Sequence, residues 1–552
     1  MDSSTIMDLQ APDRSLLVAG AVALLSFGCI YRMVKIYSFW SSRGIKGPTP
    51  WPFLGTNIYY LLYNKIDIDK AWHKKYGKTF GLYDGFAPSL RTSDNEIMKQ
   101  VFVKDFSSFV DRDTRFIHGD HTRRWVFNSK GDHWSNQRAL MTPMFTSAKM
   151  RNMFGTMLEC VSRFKREIAS RLPMAGGKPD NLVEDLGAFS KDELMSLALS
   201  FISQAFFGLK LDTYKDKSSV FFKKAFAFAS FDMVQFIIWS IVPTPLARYF
   251  KIDLVNYAQY EYFDKLSQST IDERRKNPAK KGHDLIQSLL DSKIPEIPER
   301  IYSDEDDMES HYNADIGREE LERIHEGQVK RMTFSKFSDL EIRAQMTFLF
   351  IAGFDTTSSS LSFCFYELAH QQAAQEELYD EIRSLPNLLG QLEYTDLSNM
   401  KKLDAFVSET LRLYSPVTEL NRLVTNKDGV ILPTSPPIYL PHGSCISVNP
   451  FIVQRDPDYW PDAQKFDMTR FYPENRDKIK SCTYMPFGIG PRNCAGMRFA
   501  LMGIKLTLAE VLLKYKVLPG PKTQAYEPKF KQHAFFLQLK DTDFRLAPRQ
   551  NL

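Results

Sequence analysis

Cysteine is scarce in this chain: six in 552 residues, Cys29, Cys160, Cys364, Cys445, Cys482 and Cys494, with no C-x-x-C pair and no regular spacing. That excludes a disulfide framework and reads as reduced thiols in a cytosol-facing body. No G-x-G-x-x-G fingerprint is present, so any nicotinamide cofactor must be used by a partner. G-x-S-x-G and H-E-x-x-H are missing too, which leaves a membrane-bound hydrolase without support. A strong charge of one sign is also lacking. The net +5 points weakly to an anionic partner or a membrane face, and no nucleic-acid partner is expected. No Pro/Ser/Gly-rich linker splits the middle and no repeat is visible, so one large body is expected despite the length.

What is present begins with grease: 43% hydrophobic and 13% aromatic residues, enough for a core and for apolar pockets or membrane contact. Leu16 to Tyr31 is charge-free and apolar, and Met33, Val34 and Ile36 extend it to a span over 16–36 while Arg32 and Lys35 snorkel. A cleaved signal peptide is the alternative. Asp2, Asp8 and Asp13 and the lack of a small-x-small site weigh against it. Arg32, Lys35, Arg43 and Lys46 gather on the C-terminal side, so residues 1–15 are expected to form a short lumenal tail and the body to stay cytosolic. Residues 37–55, with Gly47-Pro48-Thr49-Pro50-Trp51-Pro52, read as a stiff proline-rich spacer before a body over 56–552. Phe80 to Arg91 alternates as short strands do, and the chain beyond is predominantly helical.

The most informative stretch is Pro486-Phe487-Gly488-Ile489-Gly490-Pro491-Arg492-Asn493-Cys494-Ala495-Gly496. Its glycines and prolines force a shaped loop, and the apolar run from Phe499 to Leu512 predicts a helix directly after it. Cys494 is thus expected at a helix N-terminus, where backbone N–H groups favour a thiolate. Arg492, two residues earlier, is placed to meet an anion. One thiolate on a loop able to approach a flat surface suits haem iron better than zinc, which wants three or four ligands. An inert cysteine in a glycine turn is the plainer alternative.

The pattern Phe487-x-x-Gly490-x-Arg492-x-Cys494-x-Gly496 resembles the haem-ligand signature of the cytochrome P450 monooxygenases. A second motif agrees. Ser338 and Glu341 make a capping-box start, and the helix that follows carries Ala352-Gly353-Phe354-Asp355-Thr356-Thr357-Ser358-Ser359 at its centre. Glycine beside a Ser/Thr cluster is poor helix material, and Ala352 and Gly353 would leave room for a small ligand. The run resembles the family's A-G-x-[DE]-T-[TS] motif, which implies that Asp355 and Thr356 deliver protons during dioxygen activation. Glu409 and Arg412, three apart on a helix ending before Pro416, match E-x-x-R, with Arg470 as the third member. Met468-Thr469 stand where relatives usually have Pro-Glu, so the local turn is expected to differ.

The same resemblance carries Trp134 and Arg138, one helical turn apart, to the W-x-x-x-R pair that holds a haem propionate. Arg112 in Phe109-Val110-Asp111-Arg112 and Arg422 in Leu420-Asn421-Arg422 are carried to the other propionate arginines. Phe116, Phe350, Phe354 and Val417 would line a bulky, apolar pocket. The aromatic stretch from Phe221 to Val242 is either core or a lid dipped into the bilayer, and Glu296 to Met332 is a solvated, charged loop.

The resemblance is closest to the microsomal branch that holds the animal drug- and steroid-hydroxylating enzymes and thromboxane synthase. It implies a mostly α body with a small β subdomain behind a single-pass anchor in the endoplasmic reticulum membrane. It implies heme b (iron protoporphyrin IX), O2, a lipophilic substrate, and electrons from NADPH-cytochrome P450 reductase, with cytochrome b5 as a further partner. Lys130, Arg138 and Lys505 are candidates for docking that reductase. Two other readings stay open: a haem-dependent isomerase of a peroxide, and a haem protein that binds without catalysis.

Overall fold

The computed structural model describes residues 14–549 apart from 116, 118, 171–187, 212–213, 215–219, 230–241, 243–245, 247–248, 251–256, 278–283, 293–335, 387–390, 524 and 533–535. The charged loop from Glu296 to Met332, together with Phe116, Phe231, Phe236 and Trp239, lies outside the described residues.

Apolar residues at helical spacing produce the expected helical body. Its principal helices are α1 (Arg14–Tyr37), α2 (Gly131–Met141), α3 (Ser147–Ala169), α4 (Lys191–Phe207) and α5 (Val220–Ala229). They continue with α6 (Tyr257–Lys276), α7 (Asp339–His370), α8 (Lys401–Leu413) and α9 (Met497–Leu512). The reciprocal cap at the start of α7 forms: Glu341 N–H donates to Ser338 Oγ at 3.3 Å and Ser338 N–H to Glu341 Oε2 at 3.0 Å. Ser190 and Glu193 open α4 in the same way. Helix α7 runs through the centre, packed against α4, α6, α8 and α9, while α9 also packs on α3.

Gly353 has a use beyond the one its sequence suggests. A Cβ there would come 2.6 Å from Ile202 Cδ1 of α4, so the glycine lets two helices approach. In the described half of the aromatic segment, Phe228 and Phe263 stack at 5.1 Å and Phe226 meets Phe354 edge-on at 5.4 Å. Those rings are core.

The β portion is small, and it joins distant parts of the chain. Strands β1 (Thr79–Asp84), β2 (Ala87–Thr92), β4 (Leu420–Leu423) and β5 (Cys445–Val448) form one sheet in the order β1-β2-β5-β4. Only β2 and β5 run parallel. The short strand β3 (Ala188–Ser190) pairs with β7 (Asp543–Pro548), which pairs in turn with β6 (Tyr515–Pro519).

Two described helices are long and apolar enough to cross a membrane, and burial separates them. The apolar window of α7 is 78% buried in the body, whereas that of α1 is 0% buried. The segment after α1 is docked, which differs from a free spacer. Trp40 is buried, its indole N–H donating to Leu82 O at 2.9 Å, and Gly81 N–H donates to Lys46 O at 2.9 Å. An aromatic wedge, invisible to composition, thus fixes where the chain leaves the sheet.

Glu367, near the end of α7, is fully buried and accepts hydrogen bonds from Tyr414 Oη at 2.9 Å and Gln371 Nε2 at 3.3 Å. Burial pushes its carboxyl up to about 7, against those two donors. The folded chain therefore keeps a proton that the unfolded chain releases near 4.5, and stability falls as pH rises from there to about 7. Glu367→Gln should remove this decline, leaving the variant ahead of the parent by on the order of 3 kcal/mol at about pH 8. Urea unfolding at two pH values checks it. Parallel curves for the two proteins would contradict the assignment.

Candidate active site

The cysteine loop is held by its own backbone. Gly488 N–H donates to Met485 O at 3.0 Å, Asn493 N–H to Gly490 O at 2.9 Å and Cys494 N–H to Phe487 O at 2.8 Å. Gly490 sits at φ +71°, and a Cβ there would collide with the Phe102 carbonyl oxygen. Helix α9 begins at Met497 with Gly496 as its N-cap, so Cys494 stands just ahead of the helix instead of within its first turn. The Gly496 N–H acts to lower the Cys494 thiol. Burial nevertheless pushes the thiol up, overcoming that donor and the charges of Arg138 and Arg112. The helix end alone does not make the thiolate, as its sequence position suggested. A metal cation on the sulfur would.

Arginines converge on this loop. Asp111 O accepts Leu423 N–H at 2.7 Å and Asn421 Oδ1 accepts Asp113 N–H at 3.0 Å, which ties the Arg112 segment to strand β4 and Arg422. Arg112 Nη2 donates to Arg492 O at 2.9 Å, and Arg138 holds Asn493 through its carbonyl at 3.0 Å and its side-chain oxygen at 2.8 Å. Arg492 donates to Ser129 O at 2.8 Å and lies 4.3 Å over the Trp134 ring. The indole face therefore carries the Arg492 guanidinium, a contact the sequence did not suggest.

Four buried or half-buried cations share this volume, and Asp111, 3.7 Å from Arg492, is the counter-charge there among the described ion pairs. Burial lowers Arg112 to about 10, with Arg138 adding to it against Cys494. Burial and neighbouring arginines likewise pull Arg422 and Arg492 well below the usual guanidinium range. The Nε atoms of Arg422 and Arg492 are buried without a hydrogen-bond partner. Such a set fits an anionic ligand that brings carboxylates.

Asp355 and Thr356 form a second group. Asp355 is buried and accepts from Gln538 Nε2 at 2.7 and 3.0 Å, with Lys191 Nζ 3.5 Å away. The Thr356 hydroxyl donates to Ala352 O at 2.6 Å, which leaves its oxygen as an acceptor. Phe348, Ala352 and Thr356, four apart, form a half-exposed stripe on α7, widened at Gly353, with the rest of that stretch buried. That stripe reaches the arginine group through Phe127, whose ring is 5.9 Å from Phe348 and 3.9 Å below the Arg112 guanidinium.

Lys191 and Gln538 were not legible in the sequence, being 164 and 183 positions from Asp355 with no motif around them. Lys191→Met should lower the unfolding free energy by about 1–3 kcal/mol, because it strips a buried carboxylate of its cation. A denaturation midpoint equal to the parent's would remove Lys191 from the network. Lys505 is no docking cation, being buried and paired with Asp404 at 3.1 Å. Lys130 is exposed.

The family model for cytochrome P450 matches residues 45–544. The chain belongs to the cytochrome P450 family. Among curated relatives it is 32% identical to cytochrome P450 3A11 of Mus musculus over 515 residues, 91% of each chain. It is 32% identical to cytochrome P450 3A9 of Rattus norvegicus, covering 92% of this chain and 91% of that one. Against cytochrome P450 3A1 of Rattus norvegicus the figure is 31% over 97% of both. The protein is a cytochrome P450 monooxygenase that uses haem and O2 with a redox partner and a lipophilic substrate. The arginine cluster with its orphaned Nε atoms, beside the exposed sulfur of Cys494, fits that cofactor. When bound, haem supplies the iron at which dioxygen is reduced.

Proposed function

We propose that this P450 hydroxylates a lipophilic substrate such as a steroid, a fatty acid or a foreign compound, with electrons from NADPH-cytochrome P450 reductase and cytochrome b5. Cys494 is the iron ligand, and Phe487 borders the sulfur loop. Arg112, Arg138, Arg422 and Arg492 neutralise the propionates of heme b, while Trp134 supports Arg492 from below. The observation that carries this is the buried arginine set around one cysteine, costly to maintain without an anionic partner.

The chain's own residues supply proton control. Asp355 is the buried acid, oriented by Gln538 and Lys191, and Thr356 offers a hydroxyl oxygen as acceptor on the half-exposed face of α7. Among the described residues, Phe350 and Phe354 are fully buried in the aromatic core and line no open pocket, which leaves Val417 as the partly exposed member of the expected substrate wall. Residues 16–36 anchor the protein in the endoplasmic reticulum membrane, with 1–15 lumenal, 37–55 a docked linker and 56–552 the cytosolic haem domain. The apolar, exposed α1, with Arg32 and Lys35 near its C-terminal end and Arg43 and Lys46 after it, supports that orientation.

Reconstitution with reductase and NADPH tests the reading. Product that depends on both is expected, and Thr356→Ala should lower product per NADPH several-fold while peroxide release rises. Turnover of a peroxide substrate with neither NADPH nor reductase would select the isomerase reading. Substrate-induced spectral shifts without any product would select the binding protein.

A further inference from the structure

The end of α1 and the tip of the β1–β2 hairpin enclose a cleft of about 630 Å³, within the size range of small-molecule sites. One wall is a face of α1 from Gly28 through Arg32 and Lys35, continued by Phe39 in the turn after it, and the other is Phe86 and Pro88. The walls are fixed to each other. Tyr83 Oη donates to Tyr37 O at 2.8 Å, Trp40 N–H donates to Tyr83 Oη at 3.1 Å, and Tyr37 stacks on Phe86 at 6.1 Å.

We infer that this cleft binds the headgroup of an anionic diacyl phospholipid. No carboxylate lines it, and among the described residues neither Arg32 nor Lys35 has an ion-pair partner. Two uncompensated cations on one helix face suit a phosphodiester, the guanidinium as a fork and the ammonium as a point charge. A zwitterionic lipid neutralises its phosphate with its own choline; a serine headgroup leaves a net negative charge for the pair. The exposed Leu24, Leu25 and Phe27 continue along α1 away from the cleft and give acyl chains an apolar surface to follow. Gly28, without a side chain, opens the passage between the two regions.

The inference rests on α1 lying in a membrane, as proposed above, and the experiment separates the two. The full chain is reconstituted in phosphatidylcholine nanodiscs with or without phosphatidylserine, and a photoactivatable phosphatidylserine is cross-linked and mapped. The label is expected on peptides containing residues 28–39 and 86–88, with phosphatidylserine retained through detergent extraction and not displaced by inorganic phosphate. Arg32→Gln with Lys35→Gln should cut labelling several-fold, whereas Arg43→Gln with Lys46→Gln, an equal charge loss outside the lining, should not. Equal loss in both double variants, equal labelling by phosphatidylcholine, or displacement by inorganic phosphate would overturn the site. Release of the chain from membranes by alkaline carbonate would overturn the anchor and the site together; retention without lipid preference would overturn the site alone.

Discussion

Cys494→Ser is expected to give a folded protein without monooxygenase activity, its reduced carbon monoxide complex stripped of the thiolate signature. The fold should survive because the loop is held by main-chain bonds, Cys494 N–H to Phe487 O among them, and these do not involve the sulfur. The function should not, because a serine hydroxyl is a far weaker donor to iron than a thiolate. The other cysteines provide the controls. Burial pushes Cys160 up to about 11 and raises Cys364, Cys445 and Cys482 as well, so all four are inert thiols in packed surroundings. Serine at Cys160 or Cys482 should leave the spectrum intact. Unchanged spectrum and turnover in Cys494→Ser would falsify the ligand assignment and with it the role given to the arginines.

How far the site was readable depends on whether its residues act locally. Gly490 could be read because a loop that turns back beneath Phe102 tolerates no side chain, and the capping box of α7 because both its members lie within four residues. The helix contact at Gly353 is not legible, because sequence shows a small residue and only the neighbouring helix shows Ile202 against it. The Arg492 guanidinium on the Trp134 face could not be read either, since it comes from far along the chain. Lys191 and Gln538 left no trace at all, because a partner contributed by a different helix and a C-terminal hairpin has no spacing to detect. The helical class followed from periodicity. The parallel pairing of β2 with β5, which brings Arg422 towards Arg112, did not.

Arg412→Ala is expected to prevent recovery of the folded holoprotein. Both partners of the Glu409–Arg412 pair are fully buried, joined by bonds of 2.6 and 2.7 Å. Removing one leaves an uncompensated buried charge and costs about 3–5 kcal/mol, a large share of the roughly 5–15 kcal/mol that holds a domain folded. Arg470 cannot take over. It is the expected third member, an ion-pair neighbour with Nε 3.6 Å from Glu409, but it makes no hydrogen bond to it, and its Nη2 goes to Asp462 O at 3.3 Å, while Met468 and Thr469 form a short turn capped by Asp467. Arg412 also donates to the carbonyls of Gln454 at 2.7 Å, Ala463 at 2.8 Å and Lys465 at 3.2 Å. Gln454 in turn accepts Met485 N–H at 2.6 Å, one residue before the cysteine loop. The arginine thus fixes the entry to that loop through a single intermediary. Arg412→Lys should fail nearly as badly, since an ammonium cannot reproduce the planar fork that meets a carboxylate and three carbonyls. Circular dichroism and haem content of the expressed variants test this, and a parent-like melting temperature with full haem in either one would show that the buried pair is dispensable.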